Sequence, residues 1–156
     1  MKKLIICCLI VFIGSCKSKK ETEADPDYSS RFVGDYWTNT VNGTNSTAQD
    51  WKVTSLGKNL LGINYTINYT FREQGKEIKS VEIYKLTKVT VVDSLTFRIN
   101  EDAELSDDGV TKVRKVEADG VRYTDAANKS NIGITLKFTD PGGASSMSDF
   151  LIFKKK

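Results

Sequence analysis

Tyrosines and carboxylates are the reactive groups that this chain holds in quantity. Tyr65 and Tyr69 flank Ile67 in "GINYTINYTF", and Tyr84 follows in the next apolar run. Phenols at alternate strand positions make a surface that is apolar in body and hydrogen-bonding at the tip. That is the chemistry of a small-molecule pocket. Trp37, in "FVGDYWTNT", adds a large ring to the set. Trp37, Tyr65, Ile67, Tyr69 and Tyr84 are therefore the candidate ligand-binding residues. The competing expectation is ordinary core filling, because small β-barrels can be filled by their own side chains.

Much other chemistry is excluded by composition. The chain has no histidine, which removes the commonest general base, the commonest metal ligand and every serine–histidine triad. Its cysteines are Cys7, Cys8 and Cys16, all near the amino terminus, so a downstream domain has no thiol nucleophile and no structural zinc site. No glycine-rich loop follows a strand and opens a helix, so nucleotide-phosphate binding has no support. A glycosidase needs two facing carboxylates; Asp35 with Glu82 is one conceivable pair, and nothing singles it out. The acidic stretch "NEDAELSDDG" lacks EF-hand spacing and reads as a solvated hairpin loop. The expectation is a non-enzyme with no catalytic residue, no metal and no cofactor.

The elements that would position the tyrosines are strands. Ile63, Tyr65, Ile67, Tyr69 and Phe71 share one face of "GINYTINYTF", with Asn64, Thr66, Asn68 and Thr70 on the other. "IGITLKF" repeats this pattern with Ile132, Ile134, Leu136 and Phe138 inward, and "LTFRI" does so with Leu95, Phe97 and Ile99. Turn signals fall between the runs, among them Asn42-Gly43, Gln74-Gly75, Asp108-Gly109, Asp119-Gly120 and Asp140-Pro141-Gly142-Gly143. About eight strands are predicted, at 32–41, 49–56, 60–71, 77–86, 88–99, 110–118, 132–139 and 148–154. The fifth breaks near Asp93-Ser94, and 121–125 is a candidate extra strand. No segment carries a helical stripe. An all-β antiparallel meander of this size closes most simply into an up-and-down barrel. A two-sheet β-sandwich is the alternative.

The amino terminus bears on location. Lys2 and Lys3 precede an apolar run of about eleven residues, Leu4 to Gly14, where a membrane-spanning helix needs roughly 20. This has the proportions of a secretory signal. The run ends Ile13-Gly14-Ser15-Cys16, which resembles the lipobox of bacterial lipoproteins. The resemblance implies cleavage before Cys16 and a diacylglyceryl group on its sulfur. Two acyl chains at one residue are enough for stable anchoring, where one is marginal. Residues 1–15 then form the signal peptide, 16–30 the lipidated cysteine and a polar tether, and 31–156 the β-barrel domain. Without Lys2 and Lys3 the chain carries 21 basic against 20 acidic side chains, a net charge of +1, which offers no electrostatic footing for nucleic acid.

The lipobox, the short polar tether, "FVGDYWTNTVNG" and "WKVTSLGKNLLGINYTI" together resemble the small calycin-like or lipocalin-like lipoproteins of Bacteroidetes. That resemblance covers roughly Arg31 to the end. It implies a meander barrel, and the lipobox adds the expectation of a lipid anchor in the cell envelope, on the periplasmic face of the outer membrane or at the cell surface. The expected function is a binding module for a small apolar or amphipathic ligand. The alternative is a structural or interaction subunit, or an inhibitor, in an envelope complex with a packed barrel and no ligand.

Overall fold

Ten strands follow a single 3-10 turn in the computed structural model, which describes residues 25–156. The expected signal peptide, Cys16 and the tether up to residue 24 lie outside the described residues. The strands are β1 (Gly34–Asn42), β2 (Asn45–Gly57), β3 (Leu60–Glu73), β4 (Lys76–Val91), β5 (Thr96–Asp107), β6 (Val110–Thr124), β7 (Ser130–Ile134), β8 (Lys137–Thr139), β9 (Ser145–Met147) and β10 (Leu151–Lys155). β1 to β6 form a continuous antiparallel meander, β6 pairs with β7, β7 with β10, and β10 returns to β1. The result is a closed eight-stranded barrel, as expected, with the short β8–β9 hairpin attached to β6. The sandwich alternative is set aside, because ring closure through β5–β6 and β1–β10 leaves no pair of separate sheets.

Turn chemistry accounts for two of the sharpest connections. Gln74 and Gly75 have φ of 50° and 80°, and Asp108 and Gly109 have φ of 46° and 86°. Positive φ at both central residues is the hairpin geometry whose twist matches that of the flanking strands.

The strand boundaries depart from expectation at informative places. The predicted break between 86 and 88 is a bulge within β4: Leu86 and Val89 both face inward, and Thr87 and Lys88 both face out. An extra residue bends the strand and sharpens its twist, which helps a sheet to close. β5 then runs through most of "NEDAELSDDG", so that stretch is a strand up to Asp107 rather than a loop. Its inward positions are Glu101, Ala103 and Leu105. Asp119-Gly120 is not a turn either. β6 passes straight through it, joining the predicted 110–118 and 121–125 pieces. Gly120 sits directly under the Phe97 ring, where an added Cβ would lie 2.2 Å from Phe97 Cζ. Glycine is there for close approach to an aromatic ring. The predicted strand 132–139 divides into β7 and β8, with its four apolar residues still buried.

The base of the barrel is closed by the segment ahead of β1, which takes in the end of the expected tether and the start of the expected first strand. Ser29–Arg31 form the 3-10 turn, and the buried Phe32 ring meets Phe97 edge to face, centroids 5.4 Å apart. Asn59, in the β2–β3 turn, accepts from the Tyr28 N–H at 2.8 Å through Oδ1 and donates to the Pro26 carbonyl at 2.9 Å through Nδ2. Asp27 Oδ1 accepts from the Asn59 and Ser29 N–H groups at 3.0 and 2.9 Å. Among the described residues, hydrogen bonds to the barrel thus reach back to Pro26, ahead of the expected boundary at Arg31.

Above this plug the interior is packed. Trp51 stacks on Phe153 with centroids 4.1 Å apart and meets Tyr65 and Phe97 edge to face. Tyr36, Phe32, Phe97, Leu61, Ile63 and Leu86 complete the lower core. Burial of these rings and aliphatic side chains is a main contribution to folding.

Candidate functional site

Cross-strand register stacks the inward side chains in rows. Trp51, Tyr65 and Tyr84 are successive partners across β2, β3 and β4. The next row toward the hairpin end is Gln49, Ile67 and Glu82, and the one after it is Thr47, Tyr69 and Ser80. The Trp51 row is the roof of the packed core. Above it the barrel opens into a cleft of about 270 Å³. β6 contributes Arg114 and β8 Phe138; the β9–β10 region closes the other side with Ser146, Met147, Ser148, Asp149 and Leu151.

The polar groups form a connected network. The Tyr65 hydroxyl donates to Gln49 Oε1. Glu82 Oε2 accepts from the Tyr84 hydroxyl at 3.1 Å and the Tyr69 hydroxyl at 3.3 Å. Arg114 donates from one terminal nitrogen to Tyr84 Oη at 3.0 Å and from the other to Ser146 Oγ at 3.3 Å. Its Nε lies 2.8 Å from Asp140 Oδ1, an ion pair too bent to count as a hydrogen bond. The guanidinium also stands 5.2 Å from the Phe138 ring centroid, at cation–π distance. Burial by itself would lower the Arg114 pKa. The Tyr84 hydrogen bond and the charges of Asp140 and Glu82 outweigh it, so the shift is upward.

Four of the five sequence candidates meet here: Tyr65, Ile67, Tyr69 and Tyr84 all line the cleft. Trp37 does not. It is 42 % exposed on the outer face of β1, under Lys154, and Tyr36 takes the inward place. Successive strand residues face opposite sides, so only one of two adjacent aromatics can enter the barrel. Tyr36 wins because its cross-strand partner is Trp51 and its hydroxyl reaches the Phe32 carbonyl at 2.9 Å. Phe71, expected on the inward face, lies on the protruding β3–β4 hairpin and is exposed. Asp35 sits on the outer face near the base, so it cannot face Glu82.

Sequence reasoning did not single out Gln49 or Arg114. Glu82 was named only in a conceivable pair with Asp35; extending the alternation back from Tyr84 and Leu86 places it among the inward residues. Arg114 could not be placed in this way, because Val110, Val113 and Val116 fall on both faces of β6 and leave its facing undecided.

The buried phenols tie stability to alkaline pH. Burial is the main cause that raises Tyr84 to about 12, with the Glu82 charge adding to it and Arg114 opposing. Tyr65 and Tyr69 are also raised, burial again first, with neighbouring tyrosines and Glu82 contributing. An unfolded chain releases these protons near about 10, while the folded one keeps them, so the native state binds more protons in that window. Their contribution to stability is full below about pH 10 and is lost as pH rises toward about 12. Urea midpoints should fall with pH across that window, and Tyr84→Phe should make the fall shallower. An equal slope in the variant would contradict this.

Fold and cleft together define a closed meander barrel of calycin-like shape, packed below and open at one mouth. No family model, no curated protein and no solved structure matches the chain.

Proposed function

We propose that this chain is a lipid-anchored envelope protein, held at the outer membrane through Cys16, whose barrel binds a small amphipathic ligand at its mouth. One observation carries the binding part: the filling changes along the barrel. Aromatic rings occupy the lower interior, and the cleft begins where the Tyr65–Tyr84 row ends. Its walls combine apolar Ile67, Phe138 and Leu151 with converging phenol, carboxylate and guanidinium groups. Ligand pockets usually have that mixture, at about 300–1,000 Å³. A cleft of about 270 Å³ suits a polar head and a few carbons. Packed rings of Trp51, Phe97 and Phe153 occupy the depth of the barrel that a wholly apolar ligand would need. The anchoring part rests on Cys16 behind its apolar run, where a diacylglyceryl group on the sulfur would bring two acyl chains.

The test is purification from the native envelope followed by extraction of bound small molecules. Wild-type protein should release a ligand. Thr47→Trp, which fills the mouth from a half-buried position, should reduce the yield about tenfold, equivalent to about 1.4 kcal/mol of affinity. The same preparation reads the anchor. Wild-type protein should carry a diacylglyceryl mass and Cys16→Ala should move to the soluble fraction. Equal ligand yield from both proteins, or none from either, overturns the binding part.

A second reading, an interaction subunit or inhibitor, draws on the outer face. The Phe150 ring lies on Gly133, whose cross-strand partner is Ile152, and Phe150, Ile152 and Trp37 are all exposed. A stable protein partner in envelope pull-downs, lost on Phe150→Ser, favours that reading.

A further inference from the structure

Resting on the binding reading, we infer that the ligand's head group is a cation, an alkylammonium, and not a carboxylate or phosphate. The inference comes from how the charges at the mouth are paired. Among the described residues Arg114 is the one cation lining the cleft; it forms an ion pair with Asp140 and donates to Tyr84 and Ser146. An anionic head would have to displace Asp140 or meet its charge. The phenol protons are committed too: Tyr69 and Tyr84 donate to Glu82, and Tyr65 to Gln49.

The charge that no ion pair offsets at the mouth is negative. Glu82 uses only Oε2 in those bonds, which leaves Oε1, and Asp149 lines the opposite wall. Two carboxylates thus line the cleft against one guanidinium, and Asp140 lies just outside it as the guanidinium's ion-pair partner. An ammonium brings three donors, one positive charge and no acceptor, so it matches that pattern. Tyrosine rings add a face to which a cation is attracted. The apolar side, from Ile67 to Leu151, takes the first carbons of the chain behind the head.

Three probes with one alkyl chain separate the possibilities: octylammonium, octanoate and octyl glucoside, titrated calorimetrically below their micelle concentrations. Octylammonium should bind at least about tenfold more tightly than octanoate, and its affinity should fall as salt rises. Glu82→Gln should reduce octylammonium affinity about tenfold and leave octyl glucoside within about twofold. Asp149→Asn, remote from the tyrosine network, should lower octylammonium affinity in the same direction. Octanoate binding as tightly as octylammonium, or octyl glucoside binding alone, overturns the head-group assignment and leaves the binding module standing. Binding of none of the three overturns both. The head-group comparison uses wild-type protein, so it stands even where a variant folds poorly.

Discussion

Trp51→Ala is expected to lower stability by about 3–5 kcal/mol, the usual loss for truncating a buried tryptophan. Trp51 is the largest fully buried side chain and sits where three walls meet. It stacks on Phe153 of β10 at 4.1 Å, meets Tyr65 of β3 at 5.6 Å and Phe97 of β5 at 6.2 Å. Closed ladders hold those strands apart, so the barrel cannot collapse into the space left behind. The cavity cost adds to the lost transfer energy. Domains of this kind are stable by only about 5–15 kcal/mol, so the variant loses a large share. Trp51→Phe should cost clearly less. It keeps the ring stack and removes an indole Nε1–H that has no hydrogen-bond partner. Urea melts followed by far-UV circular dichroism would measure both, with Trp37 fluorescence as a second probe. A Trp51→Ala midpoint close to wild type would mean that the stacked rings do not hold the barrel together.

The barrel and most of its mouth were legible in the sequence because the evidence for them is local. Ile63, Tyr65, Ile67 and Tyr69 alternate with polar residues, and alternation is all that is needed to bring them to one face. Closure follows from short turns between consecutive strands. What was illegible depends on partners far away in the chain. Gly120 looks like a turn residue until Phe97, its cross-strand partner, is placed over it. The pair Tyr36-Trp37 is ambiguous until register decides which ring enters. The Thr87-Lys88 bulge shows in sequence only as Leu86 and Val89 three apart, and that interruption reads equally well as the end of a strand.

The candidate site divides along the same line. Its tyrosines lie on two adjacent strands joined by one hairpin, so a single periodicity found them. Arg114 and Ser146 come from β6 and β9, and they reach the cleft only through ring closure and the β6–β8–β9 pairings. The charges that decide the ligand's head group are therefore the part hidden from sequence. The phenols that make the cleft hospitable to a ligand at all are the visible part.

The other large loss should come from Glu101→Ala, at about 2–4 kcal/mol, since two part-buried N–H groups lose a charged acceptor and such hydrogen bonds are worth about 1.5–3 kcal/mol each. The β4–β5 register shifts between Lys85 and Thr90, so ladder bonds lapse where β4 bulges. Glu101, on the inward face of β5 and only 7 % exposed, fills that gap. Its Oε1 accepts from the Lys88 N–H at 2.9 Å and its Oε2 from the Thr87 N–H at 3.0 Å. The carboxylate stands in for strand carbonyls that the bulge moves out of reach, and this is why an acidic residue occupies a core-facing position. Glu101→Gln keeps one acceptor oxygen and turns an amide donor toward the other N–H, so it should fall between wild type and alanine. Hydrogen exchange gives a signature that general destabilisation does not: amides of Thr87 and Lys88 should lose protection ahead of their neighbours in both variants. Unchanged exchange at those two amides, with stability within about 0.5 kcal/mol of wild type, would mean that the bulge holds its shape without the carboxylate. The bend that closes the barrel would then have to come from the β4 backbone alone.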